Sequence, residues 1–218
     1  MGRYPKRIPN DCGITDSFNG RLPELKCLIF ILSKVWEYGK SEKSRFIPYS
    51  DFMMLGKSFH RGSGYITECI YDAVTLNSKW LSEYVNVRIG KNGCFVEYTD
   101  FMTDITEDGG TNYYQIYIED VSRFMTIFGL RMYLMYMRDR NRIAVDGTKT
   151  VTYTSEKFYE VTGCRDDKIL YRNMKRSHNE LMEITGVCIG ISKHKKNNYW
   201  NITYSVADGC YDDSLEGE

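Results

Sequence analysis

Residues 164 to 184, CRDDKILYRNMKRSHNELMEI, limit the folds open to this chain more than any other stretch, because as a helix they divide into two chemically opposite faces. At 3.6 residues per turn, Leu170, Met174, Ser177, Leu181 and Ile184 fall within about 40° of one line. Arg165, Lys168, Arg172, Lys175, Arg176 and Asn179 fall within roughly 60° of the opposite direction, interrupted near the end by Glu183. Such a helix lies on a core with its small and apolar stripe inward and its cations outward. A solvated charged face is the plainest use of that pattern. The flanking sequence points to a further use, in which lysines meet phosphates and forked guanidinium groups meet base edges.

After the helix, Val187, Ile189 and Ile191 alternate with smaller or polar residues, and Tyr199 to Val206 repeats an apolar and aromatic alternation; the two runs predict a hairpin. Its connection, Lys193, His194, Lys195, Lys196, Asn197 and Asn198, reads as a basic loop suited to a phosphate backbone or a minor groove. Upstream, Thr150 to Tyr153 predicts a strand. A short helix follows, capped by Thr154 or Ser155 and stopped by Gly163. Val121 to Arg140 predicts one long apolar helix. Helix, strand, helix, basic helix, hairpin is the order of a winged helix-turn-helix, whose third helix enters the major groove while the hairpin wing contacts flanking DNA.

The first half repeats this plan. Pro23 to Tyr38 predicts a helix with Pro23 in its first turn, Phe46 to Tyr49 an extended run, and Ser50 to Gly56 a short helix. Residues 64 to 81 form a third helix, and Gly90-Lys91-Asn92-Gly93 joins the strands Val85 to Ile89 and Cys94 to Tyr98. Further strands are expected at Phe101 to Ile105 and Tyr113 to Ile118. The fold class is therefore α+β, as two tandem winged-helix domains: an N-terminal arm over 1–21, a first domain over 22–120, a second over 121–206 and an acidic tail over 207–218. In the first unit the third helix carries Glu68 and Asp72 with only Lys79 near its end. That suits self-association, or auxiliary DNA contact through Arg3, Lys6, Arg7, Lys57 and Arg61.

The chain has 218 residues and zero formal net charge, but the charge is unevenly placed. Residues 1 to 120 hold 14 Lys and Arg against 16 Asp and Glu; residues 121 to 200 hold 15 against 8; residues 201 to 218 hold none against 5. A polyanion meets the local field of the basic half, not the average. The seven cysteines form no C-x-x-C pair, and several sit in apolar runs, so reduced buried thiols are expected and neither a metal nor a cofactor is implied. Apolar stretches are punctuated by charge well before 18 residues, which predicts no membrane partner and a cytoplasmic protein. No phosphate loop, G-x-S-x-G, H-E-x-x-H or H-x-H pattern occurs, and the reading is of a binding protein, not an enzyme.

With GLRMYLMYMRDR opening the second unit, VTYTSEKFYEVTG as its strand and second helix, and a basic third helix ahead of the wing, residues 22 to 206 resemble plasmid replication initiators of the tandem winged-helix type. The resemblance implies binding of double-stranded DNA at directly repeated origin sites, exchange between homodimer and monomer, and recruitment of host replication proteins. It places Arg165, Lys168, Arg172, Lys175 and Arg176 toward the major groove and Lys193, Lys195 and Lys196 in the wing. By chemistry, Arg172 and Arg176 suit base reading, and Lys168, Lys175, Lys193, Lys195 and Lys196 suit phosphates. Two other readings use the same sequence: a winged-helix transcriptional regulator, and a phage or plasmid interaction module that inhibits a host factor.

Overall fold

The structure, a computed structural model, describes residues 5–10, 12–37, 40–107, 113–146, 150–196 and 199–208. It is a mixed α and β chain with small antiparallel sheets. The segment expected as an arm is part of the core. Strand β1 (Lys6–Pro9) is followed by the short helix α1 (Gly13–Asp16), and Ile8, Ile14 and Phe18 are buried.

Helix α2 (Leu22–Ser33) begins with Pro23 in its first turn and the Glu24 carboxylate accepting the Arg21 N–H at 2.7 Å. It is buried on all sides from Glu24 to Ser33, so it is a central post and not a surface helix. It ends five residues before the predicted Tyr38. Its last turn tightens as Lys34 and Val35 donate to Ile31 and Leu32, and Trp36 then leaves in β2 (Trp36–Glu37), which pairs with β3 (Lys40–Ser41). Next come β4 (Ser44–Pro48), α3 (Tyr49–Phe52), the 3-10 turns Met53–Leu55 and Lys57–Arg61, α4 (Ser63–Leu81), β5 (Val85–Ile89) and β6 (Gly93–Tyr98).

Two predicted elements are corrected in the middle of the chain. Residues expected as a strand at 101–105 lie in a helix, α5 (Asp100–Glu107), because the Thr99 hydroxyl accepts the Met102 N–H and the buried set Met102, Thr103 and Thr106 follows helical spacing. Strand β7 (Tyr113–Ile116) pairs antiparallel with β1. The long helix predicted from Val121 is two helices, α6 (Ile118–Arg123) and α7 (Ile127–Asp146), separated where Phe124 turns extended. The Thr126 hydroxyl starts α7 by accepting the Gly129 N–H at 3.0 Å.

The remainder runs β8 (Thr150–Thr154), α8 (Ser155–Thr162), α9 (Asp167–Thr185), β9 (Val187–Lys196) and β10 (Tyr199–Asp208). Helix α8 is bounded as predicted: Thr154 accepts the Lys157 N–H, and Gly163 takes φ 71°. Its sheet has the order β8-β10-β9, and the first-half sheet has the matching order β4-β6-β5. In both halves the strand before the short helix pairs with the second strand of the hairpin.

One continuous apolar core joins both halves, from Leu25 and Leu28 of α2 through Tyr133 and Leu134 of α7 to Phe158 and Tyr204. A polar lattice reinforces the junction. Arg138 donates to Asp16 at 2.9 Å, to Thr15 at 3.1 Å and to the Tyr153 hydroxyl at 3.1 Å, and Lys157 reaches Asp16 at 3.2 Å. Burial pushes the Asp16 carboxyl up, but Arg138 and Lys157 outweigh it and hold the group below the usual carboxylate range. Asp139 accepts from both Tyr153 and Tyr204. Six cysteines, Cys12, Cys27, Cys69, Cys94, Cys164 and Cys188, are buried free thiols as expected, and Cys210 lies outside the described residues. Among the described residues no helix is long and apolar enough to cross a membrane.

Candidate nucleic-acid interface

Helix α9 is fixed at both ends and along its inner face. Asp166 caps it by accepting the Ile169 N–H at 2.8 Å, and Gly186 ends it at φ 71°. The helix therefore starts later than the two-faced pattern, and Arg165 stands on the turn before it. Leu170, Ser177, Leu181 and Ile184 are buried, with Met174 half-buried, which is the predicted inner stripe. The rotation of α9 is set by Glu180. Its carboxylate accepts the Met125 and Thr126 N–H groups and the Thr126 hydroxyl, which also meets Ser177 Oγ at 2.9 Å. One acidic side chain of a basic helix thus caps α7. A Cβ added at Gly129 would come within 2.4 Å of that carboxylate.

With the inner face locked, Arg165, Lys168, Arg172, Lys175, Arg176 and Asn179 are all exposed. None of these six side chains enters an ion pair or hydrogen bond with another described residue. Several cations elsewhere are engaged, while Lys57, Lys79, Arg88 and Lys91 of the first half are exposed too. Arg21 pairs with Glu24, Arg45 with Glu42, Lys43 with Asp100, and Arg138 and Lys157 with Asp16. The buried Arg131 donates to the Phe18 carbonyl at 2.8 Å, and Lys26 to the Leu55 and Ser122 carbonyls. Four uncompensated cations on one surface of α9, with Arg165 on the turn before it, form a field that favours an anionic partner.

The hairpin corrects the predicted loop. Lys193, His194, Lys195 and Lys196 belong to β9, paired residue for residue with Ile202 to Tyr199, and only Asn197 and Asn198, outside the described residues, separate the strands. Lys193 is tied inward. It meets Asp167 at 2.6 Å and the Tyr159 hydroxyl at 3.3 Å, with its ammonium 5.0 Å from the Trp200 ring centre. Tyr159 also donates to Asp167. The Lys193 ammonium and then the Tyr159 hydroxyl hold the Asp167 carboxyl below its usual range. This trio clamps the start of α9 to β9 and α8. Lys195 stays exposed beside Trp200, which is itself 53% exposed; the Lys196 side chain lies outside the described residues.

The first half presents a different surface. Arg7 stacks on the Trp36 and Tyr113 rings at 3.7 and 4.2 Å and donates to the Thr106 carbonyl, so it braces the fold. Arg61 lies 5.2 Å from the Tyr65 ring, Lys57 is exposed, and Arg3 lies outside the described residues. Helix α4 shows Glu68, Tyr71 and Leu76 to solvent where α9 shows cations. Sequence reasoning missed the positioning residues Glu180, Asp167 and Tyr159; Tyr171 is 50% exposed next to Arg172. An acid following a run of bases was a signal for Glu180; its partner, 54 or 55 residues away, was not. The chain matches no protein-family model and no curated protein.

Proposed function

We propose that this chain is a sequence-specific double-stranded DNA-binding protein of two tandem winged-helix units, acting as a plasmid or phage replication initiator on repeated origin sites. In this reading α9 enters the major groove and the β9–β10 hairpin is the wing. The observation that carries it is the unpaired, exposed cationic surface of Lys168, Arg172, Lys175 and Arg176, with Arg165 on the preceding turn, on a helix whose opposite face is locked into the core. Arg172 and Arg176 have the fork geometry for guanine, worth roughly 1 to 3 kcal/mol of discrimination each. Lys168, Lys175 and Lys195 face phosphates, while Lys193 positions the hairpin against α9. The matching strand orders of the two sheets support a repeated unit, and the exposed Tyr71 and Leu76 of α4 support protein contact by the first one.

The test is fluorescence anisotropy with mixed-sequence duplex DNA over a salt series, beside a variant carrying Arg172→Ala, Lys175→Ala and Arg176→Ala. The wild type should bind with a log-log salt slope near −0.9 per phosphate neutralised, and the variant should bind more weakly with a shallower slope. Absence of binding by folded wild-type protein at low salt overturns the reading. An initiator role further requires association with a host helicase or primase, which a transcriptional regulator does not.

A further inference from the structure

Between α9 and β9 runs a groove of about 440 Å³, walled by Tyr171, Met174 and His178 on the helix and by Ile189 and Ile191 on the strand, with Lys175 on its rim. Strand β9 is the outer member of its sheet, so one of its edges carries no strand partner among the described residues. Helix α9 turns into β9 at Gly186, and the Asp167–Lys193 pair ties the start of the helix to the strand. Strand β10 ends beside the start of β9, because Asp208 pairs with Val187, the first residue of that strand.

Residues 209–218 read GCYDDSLEGE, with Asp212, Asp213, Glu216 and Glu218 and no Lys or Arg. Tyr211 and Leu215 are their two large apolar side chains, four positions apart. In an extended segment these two share one side with Asp213 between them, and Asp212, Glu216 and Glu218 fall on the other. From the level of Val187 to Lys193 is about 20 Å along the strand. Ten extended residues reach about 33 Å, enough to reverse direction and follow the groove.

We propose that residues 209–218 occupy the α9–β9 groove, Tyr211 and Leu215 seated against Met174, Ile189 and Ile191 and Asp212 and Glu216 facing Lys175 and Arg172, so that duplex DNA and this segment compete for α9. The second half of this statement rests on the DNA-binding reading; the contact itself does not. Charge alone does not account for the choice of site, because the two apolar side chains match an apolar crevice that borders the unpaired cations.

The experiment uses the full chain. A nitroxide is placed on Cys210, selectively because the other six thiols are buried, and paramagnetic broadening of backbone amides is recorded by NMR at low salt without DNA. Residues 187–191 lie close to the label in any case, because Asp208 pairs with Val187; the diagnostic broadening is expected at residues 171–175, farther along the groove, and should be lost in the Tyr211→Ser/Leu215→Ser variant, whose net charge is unchanged. In unlabelled protein that variant should bind duplex DNA about fivefold more tightly than wild type if the contact is formed in roughly four molecules of five. Absence of broadening at residues 171–175 overturns the proposal whatever the DNA result. Broadening there that survives the apolar variant but disappears when the four acids are neutralised also overturns it, since it would report diffuse attraction without seating. Broadening that depends on Tyr211 and Leu215 while neither protein binds DNA supports the contact and refutes the DNA reading alone.

Discussion

Lys26 shows how far a single side chain can set the behaviour of this fold. It lies on the all-round buried helix α2, and its ammonium has carbonyl oxygens, not a carboxylate, as hydrogen-bond partners, Leu55 at 3.1 Å and Ser122 at 2.8 Å. Burial drives its pKa from 10.5 to about 8, with the more distant Glu180 opposing the shift. A neutral amine keeps N–H donors for both carbonyls, so losing the proton relieves desolvation without breaking the contacts. The sign follows from linkage. Between pH 8 and 10.5 the unfolded chain binds this proton more tightly than the folded one, so the Lys26 contribution to stability rises with pH across that window and is flat below it. Urea denaturation of the wild type and of Lys26→Met should therefore give a stability difference that shifts toward the wild type by about 3 kcal/mol over that range. A difference independent of pH would mean that the ammonium is hydrated in the folded protein.

At the scale of elements, α9 and the hairpin are held by groups that do not themselves face the solvent field. Glu180 supplies three acceptor contacts to the start of α7, so Glu180→Ala should cost about 2 to 3 kcal/mol in urea denaturation, and Glu180→Gln, which retains an acceptor oxygen, should cost less. Lys193 and Lys195 stand two residues apart on β9 but do different work. Lys195→Ala should make the DNA salt slope shallower by about 0.9, whereas Lys193→Met should leave the slope unchanged and destabilise the hairpin. Equal slope changes in both would return Lys193 to the phosphate contacts. Much of this was legible in the sequence where the controlling interactions are local: the α8 cap at Thr154 and stop at Gly163, the inner stripe of α9, and the hairpin from Val85 to Tyr98. What escaped depends on distant partners. The break between α6 and α7 is held by Glu180, and the length of β9 is set by pairing with β10, so local polarity made strand residues 193–196 look like a loop. The cations of the candidate site were visible on a helical wheel; that Lys193 is paired and the α9 cations are not is a tertiary fact.

Across the whole molecule, the N-terminal segment decides whether the two halves behave as one. Phe18 and Ile14 are buried in the common core, the Phe18 carbonyl accepts from Arg131 of α7, and Asp16 holds both Arg138 of α7 and Lys157 of α8. A segment at the start of the first half thus binds the second half in space, and a separated second half would leave Arg131 and Arg138 short of partners. Unfolding should accordingly be one cooperative transition, not two. The three tryptophans allow the halves to be watched separately. Trp200 reports the hairpin in a Trp36→Phe/Trp80→Phe background, and Trp36 and Trp80 report the first half in Trp200→Phe. Both should give the same urea midpoint, apart from the small effect of the substitutions. Phe18→Ala should lower both midpoints together, at a cost of about 3 to 5 kcal/mol for a buried aromatic ring. If Phe18→Ala moved only the Trp200 transition, the shared core would not couple the halves energetically, and α1 would be a cap on the second half alone.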